Sequence, residues 1–128
     1  MPRTEHRQLA IVAGLRPPFC KAGTDLRQAA AADLASHVFR EILDRTALDP
    51  ACIDEVILGC GGPDARESNV ARVAALRAGV PQSVPAVTVQ RNCASGMEAI
   101  HQAWLRLQAG TGEVFLVGGA ESMSRYPL

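Results

Sequence analysis

The chain has 128 residues, of which 48% are hydrophobic, and its 13 basic and 13 acidic residues give a formal net charge of zero. This length fits one domain with a hydrophobic core, and the hydrophobic content argues against intrinsic disorder. The balanced charge gives no electrostatic reason to expect a nucleic-acid partner. No apolar run approaches the length of a membrane span, so we expect no membrane partner either.

The cysteines and the amino terminus indicate a reducing, cytoplasmic location. Residues 1–7 are polar and a strand is predicted from Leu9, which leaves no room for a signal or transit peptide. An even number of cysteines allows disulfides, but without a secretory signal we expect free thiols. The cysteines form no C-x-x-C pair and do not have the spacing to histidines that zinc sites use, so we expect no metal site. The four residues are Cys20, Cys52, Cys60 and Cys93.

The first half of the chain predicts a strand, a helix and a second strand. Residues 9–13 form a near-continuous apolar run, as in a strand covered on both faces, and Pro17 follows it. Residues 29–47 carry apolar side chains at helical spacing with charged residues on the opposite face. A turn at residues 49–50 then leads into a second apolar strand, residues 55–60.

The second half repeats the alternation of helix and strand. The glycine-rich residues 59–63 lack both the G-x-G-x-x-G pattern and the P-loop lysine, so we interpret them as a flexible strand-to-helix loop. Ser68 or Asn69 can cap a helix at residues 70–78, with Gly79 just beyond its end. The remaining predicted elements are a strand at residues 86–89, a helix from Ser95 to near Gly110, and a strand at residues 113–117.

The order β-α-β-α-β-α-β predicts an α/β fold with a mainly parallel sheet and helices on both of its faces. The third helix is apolar around most of its surface, which predicts burial on several sides, whereas the sheet of this chain can cover only one. Its apolar stripe at helical spacing is Met97, Ile100, Trp104 and Leu107, with Ala99, Ala103 and Leu105 on other faces.

The junction between the third strand and the third helix contains a candidate nucleophile. Ser95 and Glu98 form the Ser-x-x-Glu pattern of a capping box, and Asn92 is an alternative cap one turn earlier. Either start places Cys93 in or just before the first turn, where the helix dipole favours a thiolate. The small residues that follow let a substrate approach the sulfur. The alternative is that Cys93 is an ordinary buried thiol, because free cysteine is among the most buried residue types.

Residues 90–100 closely resemble the acyl-enzyme signature of thiolases, in which a cysteine followed by small residues opens a buried helix. One departure is Gln90, which stands where the family usually has Asn, Ser or Thr. Further matches follow the family order along nearly the whole chain. They are the strand and Arg-x-Pro-Phe turn at residues 12–19, the crossover and second strand at residues 47–50 and 54–59, and the Gly-Gly-x-Glu-x-Met-Ser segment at residues 118–124.

The resemblance is to the N-terminal part of acetyl-CoA acetyltransferases and 3-ketoacyl-CoA thiolases, and it implies both a fold and a reaction. The third helix of that fold lies between two similar halves of one long chain. The nucleophilic cysteine takes the acyl group from an acyl-CoA thioester and passes it to CoA, or to an acetyl-CoA carbanion in condensation. Cys93 matches this nucleophile, and its backbone N–H matches one donor of the oxyanion hole. CoA is then substrate or product, and no other cofactor is expected.

The resemblance also implies groups that these residues do not supply. The activating histidine, the second cysteine and the water-orienting asparagine of the family belong to C-terminal motifs that do not occur in residues 1–128. His101 follows Cys93 on the same helix at a rise of about 12 Å. We expect His6 to be solvated and His37 to be a structural residue of the first helix. We therefore expect one incomplete N-terminal thiolase domain over residues 1–128. It would lack the loop domain, the last strand of the first half and the whole second half, and would have little turnover alone.

Two other classes of function fit part of the pattern. A non-catalytic subunit would take the histidine and second cysteine from a partner chain and use the third helix as an interface. A related condensing enzyme would share the fold and the nucleophile, but the Arg-x-Pro-Phe and Gly-Gly-x-Glu-x-Met-Ser matches argue against it. The family resemblance implies a homo-oligomer, a dimer or a tetramer, for the full-length protein. The preferred acyl chain and the direction of the reaction stay open.

Overall fold

The computed structural model describes residues 7–126 of the chain, which form three α-helices, three β-strands and short 3-10 turns. In chain order, the helices and strands are α1 (Ala31–Thr46), β1 (Glu55–Gly59), α2 (Val70–Arg77), β2 (Ala86–Val89), α3 (Ser95–Ala109) and β3 (Phe115–Gly119).

The three strands form one parallel sheet with the order β2-β1-β3. In its register, Val56 of β1 lies opposite Ala86 of β2 and Leu116 of β3. The central strand is therefore paired along both edges, and its last four residues are buried. The predicted parallel α/β sheet is confirmed.

Helices cover both faces of the sheet, as predicted. Alternate residues of a strand point to opposite faces, and β1 follows this rule. Val56 and Leu58 belong to the core formed with α1 and α2, whereas Ile57 packs against Ala99 and Ala103 of α3. The two small alanines let α3 approach the sheet closely. The carboxyl ends of the strands and the first turn of α3 thereby come together.

The strand predicted at residues 9–13 is wrong for this structure, because residues 7–20 adopt no regular secondary structure. Ile11 and Val12 are 75% and 90% exposed. The segment is anchored at Arg7, whose backbone N–H donates to Gln108 at 3.1 Å. Apolar composition sets a preference for burial, but a strand also needs a hydrogen-bonded neighbour. Among the described residues, this segment has no such neighbour.

The last strand lies two residues later than predicted, at Phe115–Gly119 instead of residues 113–117. The carboxylate of Asp54 explains this shift, because it accepts hydrogen bonds from the backbone N–H groups of Glu113 and Val114 at 2.7 and 2.9 Å. Two donors that could have extended the ladder are thus occupied by a side chain. The same two hydrogen bonds lower the pKa of Asp54.

The structure shows which of the two predicted residues caps α2. Asn69 is the N-cap, since its side-chain oxygen accepts the backbone N–H of Arg72 at 3.1 Å. Its amide also donates to the carbonyl of Ala86 at 3.1 Å, and its oxygen accepts the hydroxyl of Thr88 at 2.9 Å. Asn69 therefore ties the helix to β2 as well as capping it. Gly79 lies beyond the helix end with a φ of +90°, as predicted.

The Asn69→Ala variant is expected to be destabilised by about 1–2 kcal/mol, because both the cap and the link to β2 are lost. Ser68→Ala is the matched control and should change stability by less than about 0.5 kcal/mol, since Ser68 does not cap the helix. Urea unfolding followed by circular dichroism measures both values. Equal losses in the two variants would show that the capping assignment is wrong.

Candidate functional site

A tight turn connects β2 to α3 and carries Cys93. Asn92 in this turn has a φ of +47°, in the left-handed region that few non-glycine residues adopt. The hydroxyl of Ser95 holds the turn from the helix side. It accepts the backbone N–H of Arg91 at 2.8 Å and donates to the carbonyl of Asn92 at 2.7 Å. The backbone on either side of Cys93 is thus fixed by one buried side chain.

The predicted capping box is wrong, although the helix start is close to the predicted one. Ala94 occupies the N-cap position and makes no side-chain cap. The hydroxyl of Ser95 is used by the preceding turn, and the carboxylate of Glu98 instead accepts from Gln102 at 2.6 Å and pairs with Arg91 at 3.1 Å. Cys93 lies two residues before the first residue of α3, as the sequence predicts.

Cys93 is an exposed residue of this structure, which does not fit the alternative of a buried packing cysteine. It lies next to the start of α3. The first-turn N–H groups of a helix lack internal partners and carry partial positive charge. Cys93 therefore stays the candidate nucleophile that the sequence predicts.

Two strand glycines let the first turn of α3 rest directly on the carboxyl end of the sheet. A Cβ atom added to Gly59 of β1 would lie 2.2 Å from the carbonyl carbon and oxygen of Ser95. A Cβ added to Gly119 of β3 would lie 3.1 Å from the Cα of Gly96. The backbone contact at Gly59 leaves no space for any side chain. Because Gly59 and Gly119 have no side chains, the first turn of α3, which follows Cys93, can contact the strand ends directly.

The loop after β1 lies beside the same turn and is held by Glu121. The carboxylate of Glu121 accepts the backbone N–H groups of Gly61 and Gly62 at 2.7 and 3.0 Å. The thiol of Cys60 donates to the same carboxylate at 3.5 Å. The ring of Tyr126 covers Gly62, where an added Cβ would meet it at 2.4 Å. Residues 59–63 are predicted to be a flexible strand-to-helix loop, and the structure shows residues 60–62 of this loop hydrogen-bonded to the side chain of Glu121.

The electrostatics of this cluster make Cys60 a poor candidate for a nucleophile. Burial and the adjacent Glu121 carboxylate raise the pKa of the Cys60 thiol to about 11. Cys60 therefore stays protonated near neutral pH and is a poor nucleophile. Burial and the same carboxylate raise the pKa of Tyr126 to about 12. Cys93, by contrast, is exposed at the surface.

Burial by itself would raise the pKa of Glu121, but hydrogen bonds from Tyr126, the backbone N–H groups of Gly61 and Gly62, and Cys60 outweigh it and lower the pKa below its usual value. A lowered carboxyl pKa in the folded state contributes stability above the unfolded pKa, and this stability is lost as pH falls through the folded value.

The stability difference between the wild-type chain and Glu121→Gln should therefore shrink as pH falls over roughly pH 5 to 3. Unfolding free energies measured across this range test the expectation. Glu113→Gln is the control, because Glu113 makes its ion pair with Arg7 at the surface. A difference that grows on acidification would contradict the assigned role of the ionised carboxylate.

The described histidines, His37 and His101, lie on helices and not in the turn that carries Cys93. His101 stacks on Trp104 with ring centroids 5.9 Å apart, and its Nδ1 lies 3.8 Å from the carboxylate of Glu98. His37 lies on α1, and His6 falls outside the described residues. Within residues 7–126, no hydrogen bond joins an imidazole to the Cys93 thiol. The described part of the chain therefore supplies a candidate nucleophile without a histidine hydrogen-bonded to it.

The same residues 7–126 contain no cluster of three or more His, Cys, Asp or Glu side chains suited to a metal ion. None of the described helices combines the length and the apolarity that crossing a membrane requires. Cys20 is half-buried and Cys52 is exposed, and neither lies in the turn that carries Cys93.

The buried face of α3 shares only Leu107 with the predicted apolar stripe. Its buried residues are Ser95, Glu98, Ala99, Ala103 and Leu107. Met97 and Trp104 of the predicted stripe are 69% and 37% exposed. Small side chains face the sheet because the strand glycines allow close approach, and the larger apolar side chains point away. The prediction that this sheet covers only one side of the helix is confirmed.

Comparison with known proteins identifies the family. Residues 9–128 match the family model described as "Thiolase, N-terminal domain". The chain belongs to the thiolase family. It is 45% identical over 123 residues to an Escherichia coli K12 thiolase named for 3-oxoadipyl-CoA and 3-oxo-5,6-dehydrosuberyl-CoA, a match covering 94% of this chain and 31% of that protein. It is 43% identical to a 3-ketoacyl-CoA thiolase of Pseudoalteromonas translucida, over 92% of this chain and 31% of the relative.

A solved structure agrees with the thiolase assignment. The fold matches the crystal structure of the Bacillus anthracis acetyl-CoA acetyltransferase with a TM-score of 0.79 and 42% sequence identity. That match covers 83% of this chain and 27% of the other. The chain thus spans about a third of the length of the curated thiolases it matches.

Proposed function

We propose that this chain carries the nucleophile of a thiolase-type acyltransferase that acts on acyl-CoA thioesters. The observation that carries the proposal is the position of Cys93, exposed in a rigid turn directly before α3, in a chain of the thiolase family. The relatives named for 3-oxoadipyl-CoA and 3-ketoacyl-CoA support 3-ketoacyl-CoA as the substrate class. CoA is then substrate or product, without a further cofactor.

In the thiolytic direction, the proposed reaction begins with attack of the Cys93 thiolate on the 3-keto carbonyl carbon of a 3-ketoacyl-CoA. The C–S bond to Cys93 forms as the carbonyl oxygen gains the negative charge of a tetrahedral intermediate. The backbone N–H of Cys93 is proposed as one donor to this oxygen. Collapse of the intermediate breaks the bond between C2 and C3 and leaves the shortened acyl group on the sulfur of Cys93. The leaving group is the acetyl-CoA carbanion, which takes a proton from an acid outside the described residues. Attack of the CoA thiolate on the acyl-enzyme then releases the shortened acyl-CoA and frees Cys93. In condensation, Cys93 takes the acyl group from an acyl-CoA, expels the CoA thiolate and passes the group to an acetyl-CoA carbanion.

The proposal takes the base for the Cys93 thiol from outside residues 7–126, because no described histidine is hydrogen-bonded to Cys93. We propose that residues 1–128 alone have little turnover. The exposed Met97 and Trp104 favour a further protein segment that covers α3, since large apolar side chains gain stability when they leave water. A half-site subunit with a partner chain is the second candidate, and the same exposed face supports it. Homo-oligomer formation and a cytoplasmic location belong to the same proposal.

Thiolysis of acetoacetyl-CoA tests the proposed activity. The natural gene product is purified from its source organism together with any bound chain. This material should consume acetoacetyl-CoA in a CoA-dependent manner. Residues 1–128 expressed alone should show no rate above background. A near-normal rate from residues 1–128 would contradict the need for further groups. Activity that disappears when a co-purified chain is removed would favour the half-site subunit, and absence of thiolysis from the native material would contradict the function.

A further inference from the structure

Glu121 connects two neighbouring strand ends of the sheet. It follows β3, and its carboxylate reaches the loop after β1, where it accepts the backbone N–H groups of Gly61 and Gly62 at 2.7 and 3.0 Å. The thiol of Cys60 adds a third donor at 3.5 Å. Three consecutive residues are thus held by one side chain from the adjacent strand.

The loop held by Glu121 in turn contacts the turn that carries Cys93. The side-chain amide of Gln90 donates to the carbonyl of Gly61 at 3.0 Å. A Cβ added to Gly61 would lie 3.6 Å from the carbonyl oxygen of Asn92, so the two backbones are in direct proximity. Residues 60–62 therefore lie between Glu121 on one side and residues 90–92 on the other.

We propose that Glu121 is a positioning residue for Cys93, acting through the loop of residues 60–62. Holding this loop fixes the support on which Gln90 and Asn92 rest, and so fixes the place of the thiol. Glu121 touches neither the substrate nor the Cys93 sulfur in this role. The proposal rests on the proposed acyl transfer, because the position that Glu121 fixes matters for that reaction.

The chemistry of the donors explains why a carboxylate is needed here. Two backbone N–H groups, the Cys60 thiol and the Tyr126 hydroxyl all donate to Glu121, and an ionised carboxylate is the side chain that only accepts. A glutamine of the same shape has one accepting oxygen and an NH₂ group that would face a second donor. Glu121→Gln therefore keeps the volume but loses at least one of the hydrogen bonds to the loop.

The test uses the protein as its own gene encodes it and compares Glu121→Gln with the surface control Glu113→Gln. We expect Glu121→Gln to lower kcat of acetoacetyl-CoA thiolysis at least about tenfold, with KM changed less than about twofold. Peptide-resolved iodoacetamide labelling should show Cys60 alkylated at least about fivefold faster, since its loop opens more often. Cys52 provides the internal reference, and Glu113→Gln should match the wild type in every measurement.

A second variant keeps the test valid if Glu121→Gln folds poorly by circular dichroism. Gln90→Ala removes the contact on the other side of the loop, at an exposed position. It should lower kcat in the same direction, and the two substitutions together should cost less than the product of their separate effects. An unchanged kcat in Glu121→Gln, with or without faster labelling of Cys60, would overturn the positioning role.

The labelling and the turnover separate two kinds of failure. A wild-type protein without thiolysis, combined with faster Cys60 labelling in Glu121→Gln, would overturn the proposed function while leaving the loop contact intact. Normal thiolysis in both wild type and Glu121→Gln would overturn the positioning role and leave the proposed function standing.

Discussion

Replacing Cys93 by serine is expected to lower kcat/KM for acetoacetyl-CoA thiolysis at least about a thousandfold. Serine has nearly the same shape, so the turn held by Ser95 is retained, but its hydroxyl remains protonated near neutral pH. The measurement is the CoA-dependent loss of acetoacetyl-CoA by the protein as its own gene encodes it.

Cys52→Ser is the matched control for this substitution. Cys52 is also exposed and free, but it lies on the 3-10 turn Pro50–Cys52, away from the carboxyl ends of the strands. It should retain wild-type kinetics. Wild-type turnover in Cys93→Ser, or an equal loss in both variants, would remove Cys93 from the reaction.

The Gly59→Ala variant is expected to lose about 3 kcal/mol of stability, because the new Cβ would overlap the backbone of Ser95. The distance of 2.2 Å to that carbonyl group is far inside van der Waals contact, and neither β1 nor α3 can move without disturbing the core. The first turn of α3 must shift, so acyl transfer should fall together with stability. Urea unfolding of residues 1–128 measures the stability change.

Gly118→Ala provides a matched control on β3. A Cβ at Gly118 would lie 3.5 Å from the Cδ1 of Leu58 and 3.8 Å from Phe39, which is ordinary contact. Its stability should change by less than about 1 kcal/mol. Similar losses for Gly59→Ala and Gly118→Ala would show that a general cost of strand substitution, and not the approach of α3, explains the effect.

Local patterns were sufficient to predict most of the elements and the place of Cys93. The periodicity of α1 and the apolar runs of β1 and β2 express preferences that each segment carries by itself. Gly79 and Gly110 correctly marked the ends of α2 and α3, because both residues adopt positive φ values there.

Contacts between distant segments explain the predictions that were wrong. The start of β3 depends on Asp54, which lies about sixty residues earlier and occupies two backbone donors. The apolar residues 9–13 have no strand neighbour within the described residues. Ser95 has the residue type of a cap, but its hydroxyl is used by the preceding turn. The order of residue types along the sequence does not show which of these distant groups contact each other.

Glu121 was missed as part of the site for the same reason, although a signal existed. Carboxyl ends of neighbouring parallel strands meet at one edge of a sheet. Glu121 follows β3, and Cys60 follows β1. If β1 and β3 had been assumed to pair, the two residues would have been predicted to lie close together. The sequence did not specify which strands are neighbours. The tight contact at Gly59 equally depends on where α3 crosses the sheet.

The most direct test of the central claim is the site of acyl attachment. The protein as its own gene encodes it is mixed with acetyl-CoA, quenched in acid and digested, and each cysteine peptide is analysed by mass spectrometry. We predict an acetyl group on the peptide containing Cys93, its removal by added CoA, and its absence in Cys93→Ala. Acetylation that persists in Cys93→Ala, or no acetyl group at Cys93 in the wild type, would contradict the assignment of Cys93 as the nucleophile.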